Sequence, residues 1–290
     1  MAKKVSSAVI IGSTGFIGKS LFNWLKSRGF NVMGASSKKC NLLDPVAVNQ
    51  FLSTIPESAA VVFCSVINRC VDDSVVALHK NISMIDNLIK NLHKKTPRCL
   101  IYLSSVDVYG RSPLLPVHEE TLSDPESYYG LSKHCSEILV KRLSSLDCSV
   151  SILRLPGVYG YGDNGKSMVG FLSDRICNGK NVTLFGNGAV LRDYVHVSDV
   201  CRVIDRLIRF PQKLTLNIAT GISLSMKKIV EIIADVANRK VIIEYGQEDE
   251  KSTSDLIFDI NKLKHVFPDI NFMNFQQGYA YYITRQAVTE

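Results

Sequence analysis

A doubly wound α/β fold is what this sequence predicts, and three observations predict it. Short apolar runs alternate with segments of helical spacing from residue 8 to residue 210. Such alternation implies a parallel sheet with helices on both faces. A Gly-x-x-Gly-x-x-Gly run, Gly12-Ser13-Thr14-Gly15-Phe16-Ile17-Gly18, follows the first apolar run directly. Beyond Gly160 the pattern turns irregular, with glycines at 160, 162, 165, 170, 179, 186 and 188, which marks a smaller mixed α/β lobe.

The elements follow in order. Ala8–Ile11 is apolar throughout and reads as a buried strand. Leu21, Trp24 and Leu25 share one face of a helix over Gly18–Arg28, and Gly29 is placed to stop it. Strands are expected at Asn31–Gly34, Ala60–Cys64, Leu100–Ser104 and Ser149–Leu153. Helices are expected at Val46–Leu52, Ser74–Leu92, Ser127–Leu146 and Ser198–Phe210. The late segment offers a helix over Leu224–Val236, a strand over Val241–Tyr245 and a mixed tail. Residues 1–165, rejoined by 190–222, are expected to form one domain, and 166–189 with 223–290 the smaller lobe.

Composition narrows the class. At 290 residues the chain can bury one large core or two modest ones. No apolar run approaches the roughly 20 residues that span a bilayer, and Ala2-Lys3-Lys4 leads straight into a strand, so neither membrane nor signal peptide is expected. Eight scattered cysteines without a Cys-x-x-Cys pair suit a reducing cytoplasm. His79, His93, His134 and His196 lack metal-ligand spacing, so no metal site is expected. The net charge of +7 is dispersed, which suits an anionic small ligand and not a nucleic-acid surface.

The glycine run carries the first chemistry. Strand, glycine turn and helix make a Rossmann-type site for a dinucleotide pyrophosphate, because the glycines admit the phosphates and the helix start offers free N–H groups. Gly12, Ser13, Thr14, Gly15, Phe16, Ile17 and Gly18 are the expected contacts. The second strand's end decides the cofactor. An NAD site places an acid there, but Gly34-Ala35-Ser36-Ser37-Lys38-Lys39 offers hydroxyls and two lysines instead. A 2′-phosphate suits Ser36, Ser37 and Lys38, so NADP(H) is the preferred cofactor and NAD(H) the second. A solvated Lys-Lys loop is the plain alternative.

Tyr129 and Lys133 carry the second. Four residues apart on a helix, their side chains share a face. A phenol ionises near pH ~10, and a neighbouring ammonium lowers that value. Such a pair can pass a proton to or from a substrate oxygen. Ser104-Ser105 falls at a strand's carboxyl end, where ligands bind in such sheets.

Five segments now resemble one family. Tyr102-Leu103-Ser104-Ser105-Val106-Asp107-Val108-Tyr109-Gly110 resembles its Ser-Ser-x-x-Val-Tyr-Gly block. Pro125 through Glu137 resembles Pro-x-x-x-Tyr-Gly-x-Ser-Lys-x-x-x-Glu. Arg154-Leu155-Pro156-Gly157-Val158-Tyr159-Gly160 resembles Arg-x-x-Asn-Val-Tyr-Gly, with Gly157 in place of asparagine. Leu191 through Asp199 resembles the Arg-Asp-Phe-Val-x-Val-x-Asp block, and Asn217-Ile218-Ala219 an Asn-Ile-Gly strand. The chain is similar to the extended short-chain dehydrogenases/reductases of the NAD-dependent epimerase/dehydratase family, which act on nucleotide sugars.

The resemblance implies roles. Ser105, Tyr129 and Lys133 are its catalytic set: Tyr129 as general acid–base, Lys133 lowering its pKa and holding the nicotinamide ribose, Ser105 orienting the reacting oxygen. Asn41, Leu42 and Leu43 precede an aspartate, Asp44, that the family places near adenine. Cys64, Ser65 and Val66, with Pro156 and Val158, complete the cofactor contacts. Ser105, Val106, Asp107, Tyr129, Gly157 and Arg192 form the substrate set. Plain readings stand beside these: Arg192 and Asp193 as a surface ion pair, Asn81 as purely structural. No arginine lies between Lys240 and Tyr282, which removes a common pyrophosphate ligand, and Lys251 is the substitute.

A dehydratase needs an acid directly after its Ser/Thr, and Val106 stands there. The expectation is a cytoplasmic homodimeric reductase that delivers hydride from NADPH to C4 of a dTDP-, CDP-, GDP- or UDP-linked 4-keto-6-deoxysugar. The alternative is an NAD-dependent C4 epimerase. A third reading, a dinucleotide-sensing regulator, leaves the Ser105–Tyr129–Lys133 set without a use.

Overall fold

The computed structural model describes residues 7–56, 58–92, 96–145, 148–163, 165–247 and 254–287. Along the chain run β1 Ser7–Ile11, α1 Phe16–Ser27, β2 Asn31–Ala35, α2 Pro45–Ser53, β3 Ala60–Phe63, α3 Val75–Leu92 and β4 Cys99–Ser105. A 3-10 turn at Val106–Tyr109 leads to α4 Tyr128–Lys141, a second at Arg142–Ser145, then β5 Ser149–Leu155 and β6 Gly157–Tyr159. Next come α5 Met168–Cys177, β7 Val182–Phe185, β8 Leu191–Arg192, β9 Tyr194–His196, α6 Val197–Arg209 and β10 Leu214–Asn217. The chain closes with β11 Leu224–Ser225, α7 Met226–Ala237, β12 Ile243–Gly246, α8 Asn261–Val266 and α9 Phe275–Ala287.

Six strands form one sheet in the order β10-β5-β4-β3-β1-β2. The pairings of β1 with β2 and β3, of β3 with β4 and of β4 with β5 are parallel. Alternate residues explain the packing. Val9, Ile11, Val61, Phe63, Leu100, Tyr102, Val150 and Ile152 point to one face and meet Leu52, Ile85, Leu88 and Leu92 from α2 and α3. Ala8, Ile10, Val62 and Ile101, pointing the other way, are buried too. Apolar runs without alternation are what a sheet covered on both faces requires.

Helix ends follow their residues. Asp44, Ser127, Ser167 and Ser225 cap α2, α4, α5 and α7 through their side chains. After α1 the chain turns at Gly29, φ +77°. The helix expected to Leu146 stops at Lys141 and tightens into the 3-10 turn, and Leu146 lies outside the described residues.

The chain clusters into two compact units: Met1–Gly110, Leu122–Leu155 and Cys201–Leu216 in the first, Arg111–Thr121, Pro156–Val200 and Asn217–Glu290 in the second. These limits differ from the expected ones at 165, 190 and 222, and hydrogen bonds within the second unit give the reason. Val117 pairs with Phe258, through Val117 N to Ile257 O at 2.7 Å and Asp259 N to Val117 O at 2.9 Å. β6 pairs with β9, and Asn217 N donates to Glu119 at 2.8 Å. The second unit has its own core of Tyr159, Val169, Leu172, Ile176, Ile229, Ile233, Tyr279 and Tyr282. Its helix α5 lies in the glycine-rich stretch where the sequence showed no element.

Candidate active site

The glycine turn joins β1 to α1. Gly12 adopts φ +87°, and the N–H groups of Gly12 and Ser13 donate to Ala35 O at 2.9 and 3.1 Å. A Cβ on Gly18 would stand 2.2 Å from Gly12 O, so helix and turn can close together only without one. At Gly15 a Cβ would meet only Gly12 O, at 3.4 Å. The protein's own packing does not require glycine there; what it leaves is an open cradle. α1 has no side-chain cap, unlike the four capped helices. Free N–H groups beside a cradle of this kind fit a pyrophosphate.

Around the turn lie the other expected cofactor residues of this unit. Ser36 is half-buried, and Ser37, Lys38 and Lys39 form an exposed turn in which the N–H groups of Lys39 and Cys40 donate to Ser36 O. Asn41 and Leu43 are exposed while Leu42 is buried. Asp44 accepts from Val46 N at 2.9 Å and caps α2. Cys64, Ser65 and Val66 follow β3 and are half-buried. Burial pushes the Cys64 thiol up to about 12, against the opposing pull of Lys133. It packs there as a neutral thiol.

Ser105 ends β4, and its Oγ accepts from Asp107 N at 3.1 Å. Tyr129 sits in the first turn of α4. Its N–H donates to Asp73 Oδ1 at 2.8 Å, and the Ser105 hydroxyl is among the groups that favour its ionised form. Gly130 permits the approach, since a Cβ there would stand 2.6 Å from Asp107 O. One turn on, the Lys133 ammonium is buried and donates to Leu103 O at 2.6 Å. The structure thus brings Ser105, Tyr129, Lys133 and Asp107 together, with Val106 buried between Ser105 and Asp107.

The charges differ from expectation. Lys133 was to draw the Tyr129 phenol down; its ammonium is instead held by a carbonyl, 5.7 Å from the Tyr129 ring centroid. Burial lowers Lys133 itself to about 8. Burial raises the Tyr129 phenol, Asp107 adds to the rise, and Ser105 and Arg69 oppose it. Burial also raises the Asp107 carboxyl, with Arg69 opposing.

A buried chain of side chains fixes these positions. Ser104 Oγ donates to Glu137 Oε1 at 2.6 Å. Arg154 grips Glu137 through Nε at 3.0 Å and Nη2 at 2.7 Å, and reaches Tyr109 through Nη1 at 2.8 Å. Asn81 has the structural role: its amide holds Ile67 N at 2.8 Å and Ile67 O at 3.0 Å and reaches Ser132, which donates to Tyr129 O. Sequence reasoning missed Arg69 and Asp73. Arg69 Nη1 lies 2.9 Å from Asp107 Oδ2. Both stand in an ordinary polar loop, and nothing in the spacing of that loop singles them out.

The second unit holds the remaining expected residues. Pro156 and Val158 are half-buried. Gly157 pairs with Tyr194, and a Cβ on it would stand 2.4 Å from the Tyr194 ring, so an asparagine there would require the ring to move. Arg192 Nη1 donates to Leu191 O at 2.7 Å and Ser254 O at 2.9 Å. Asp193 is no surface partner: it is buried, accepts from Thr220 N, Thr220 Oγ1 and Gly221 N, and is raised by burial to about 6. Lys251 and His93 lie outside the described residues. Among the described residues no group of His, Cys, Asp and Glu is placed to hold a metal, and no helix is long and apolar enough to cross a membrane.

A family model described as the NAD dependent epimerase/dehydratase family matches residues 8–219. The chain belongs to that family. Its members among the relatives are NAD(P)-dependent nucleotide-sugar reductases and epimerases of the extended short-chain dehydrogenase/reductase type. This family member is 25% identical to a dTDP-4-dehydro-6-deoxyglucose reductase of Escherichia coli, over 90% of this chain and 92% of that one. It shares the fold of a Thermus thermophilus UDP-glucose 4-epimerase solved with NAD, at TM-score 0.84 and 20% identity over 96% and 98% of the two chains. It shares the fold equally of RMD from Pseudomonas aeruginosa solved with NADPH, at TM-score 0.85 and 20% identity over 98% and 100%.

Proposed function

We propose that this protein is an NADPH-dependent reductase of a nucleotide-linked 4-keto-6-deoxysugar. The observation that carries the cofactor choice is the end of β2: Ser36, Ser37, Lys38 and Lys39 stand there with no acid among them. A 2′-phosphate would find hydroxyls and ammonium groups. The reductase relative, similar over nine-tenths of the chain, supports the reaction. Val106 in place of the acid a dehydratase uses supports it again.

The chemistry rests on first-unit groups alone. The cofactor supplies hydride to C4 when bound at the glycine turn. Tyr129 hands its phenolic proton to the C4 oxygen, and Ser105 hydrogen-bonds that oxygen and orients it. Tyr129 with a raised pKa holds its proton through neutral pH, which suits a donor. Lys133, fixed by Leu103 O with its ammonium 5.7 Å from the phenol ring centroid, is the group that would hold the nicotinamide ribose. A cytoplasmic homodimer belongs to the same reading.

The test incubates the protein with NADPH and dTDP-, CDP-, GDP- and UDP-linked 4-keto sugars. One NADPH should be oxidised per sugar converted. Replacing Lys38 and Lys39 with alanine should weaken NADPH by roughly 5–30-fold, as two exposed charge contacts allow, and leave NADH within a factor of two or so. Tighter binding of NADH by the wild type, or conversion of a UDP-hexose with no change in nicotinamide absorbance, favours the epimerase instead.

A further inference from the structure

We propose that Arg69 and Asp107 together read the hydroxyl beside the reacting carbon: Asp107 accepts a hydrogen bond from it, Arg69 donates one to its oxygen, and sugars lacking it are rejected. This rests on the nucleotide-sugar reading above and adds a specificity-determining residue, Arg69, that the motifs do not contain.

The loop from β3 to α3 is built to place that guanidinium. Asn81 clamps Ile67 by both N–H and carbonyl. Asn68 takes the N–H groups of Cys70, Val71 and Asp72 at 2.9, 2.9 and 3.0 Å. Asp72 accepts from Ser74 N at 3.0 Å, and Asp73 from Tyr129 N at 2.8 Å. The root of Arg69 is therefore tied to the first turn of α4, where the proton donor stands. Asp107 is tied to Ser105 through its own N–H.

The pair is underused as it stands. A guanidinium carries five donors, and Arg69 meets Asp107 through Nη1 while its side chain remains 54% exposed. Asp107 is 17% exposed and keeps further lone pairs. Both charges reach the Tyr129 phenol, in opposite senses. As a surface ion pair they would add little to stability. Beside a proton donor, a fixed anion and a fixed cation match a group that both donates and accepts, which a hydroxyl does. A substrate carboxylate would face Asp107, and an ammonium would face Arg69.

The experiment compares kcat/KM for a nucleotide-linked 4-keto-6-deoxyhexose and its 3-deoxy counterpart; should the protein prove an epimerase, a nucleotide hexose and its 3-deoxy counterpart replace them. Wild type should prefer the hydroxylated sugar by roughly 10–100-fold, the effect of one charge-assisted hydrogen bond. In Arg69→Met and Asp107→Asn the preference should fall to within roughly threefold, with cofactor Kd unchanged, and Arg69→Lys should restore part of it. A wild type without the preference, or variants that retain it in full, overturns the proposal. Turnover of no nucleotide sugar at all overturns the functional reading, and the proposal with it.

Discussion

The two units hold their buried charges differently. In the first, the buried ion pair sits in a run of side chains, Ser104 to Glu137, Glu137 to Arg154 and Arg154 to Tyr109, while Lys133 rests on a carbonyl, that of Leu103. In the second, buried carboxylates take backbone N–H groups alongside hydroxyls: Asp193 those of Thr220 and Gly221 with Thr220 Oγ1, Asp163 that of Gly165 with the hydroxyls of Ser167 and Tyr282, and Asp199 that of Met273. A side-chain bond needs a particular residue at both ends. A backbone N–H is offered by almost any residue. The Glu137–Arg154 arrangement therefore specifies a residue at every end, while the second unit's carboxylates depend partly on particular hydroxyls and partly on the path of the chain.

The largest expected effect separates chemistry from this support. Tyr129→Phe should lower turnover by roughly 10²–10⁴-fold, the range of a general acid, with cofactor affinity and melting temperature near wild type. Near-normal turnover would remove Tyr129 from the reaction.

Next comes the support itself. Arg154→Met strands the Glu137 carboxylate in a dry place and should cost about 3–5 kcal/mol in denaturant unfolding. Asp193→Asn in the second unit, which keeps the size and an accepting oxygen, should cost clearly less. Equal losses would break the contrast between the units.

A third test uses pH. Native Lys133 titrates at about 8 against an ordinary 10.5, so the folded protein binds this proton more weakly than the unfolded chain. The penalty is fully present below pH 8 and is relieved as pH rises from about 8 to about 10.5. Across that window wild type should gain stability relative to Lys133→Met, by at most ~3 kcal/mol. A flat difference would mean that Lys133 is not desolvated.

The smallest effect lies in the second unit. Gly157→Asn pushes a side chain into the Tyr194 ring and should cost about 1–3 kcal/mol. Measured on a Tyr194→Ser background, the added cost of Gly157→Asn should largely vanish, since the two residues touch.

Legibility in the sequence follows the same contrast. β1 to β5 and α1 to α4 were readable because apolar runs buried on both faces leave a plain pattern. Ser105, Tyr129, Glu137 and Arg154 all stand in recurring blocks of the sequence, and the structure joins Glu137 to Arg154 by side-chain bonds that such blocks preserve. α5 and α9 were not readable, lying among glycines or in a tail rich in aromatic and polar residues. Arg69 was invisible because its place depends on Asn81 and Asp73 reaching across the fold, which no local spacing records. The state of Lys133 was misread because spacing shows two side chains on one face and not the carbonyl of Leu103 that holds one of them.

The Glu137–Arg154 pair has a consequence for descent. Either residue alone, in a dry interior, is a liability, so no single change at either position improves the chain. A lineage leaves this arrangement only by altering both together, while Arg69, its side chain 54% exposed, can change alone. Ancestry should persist longest around Glu137 and Arg154, and new substrate preferences should arise first around residue 69.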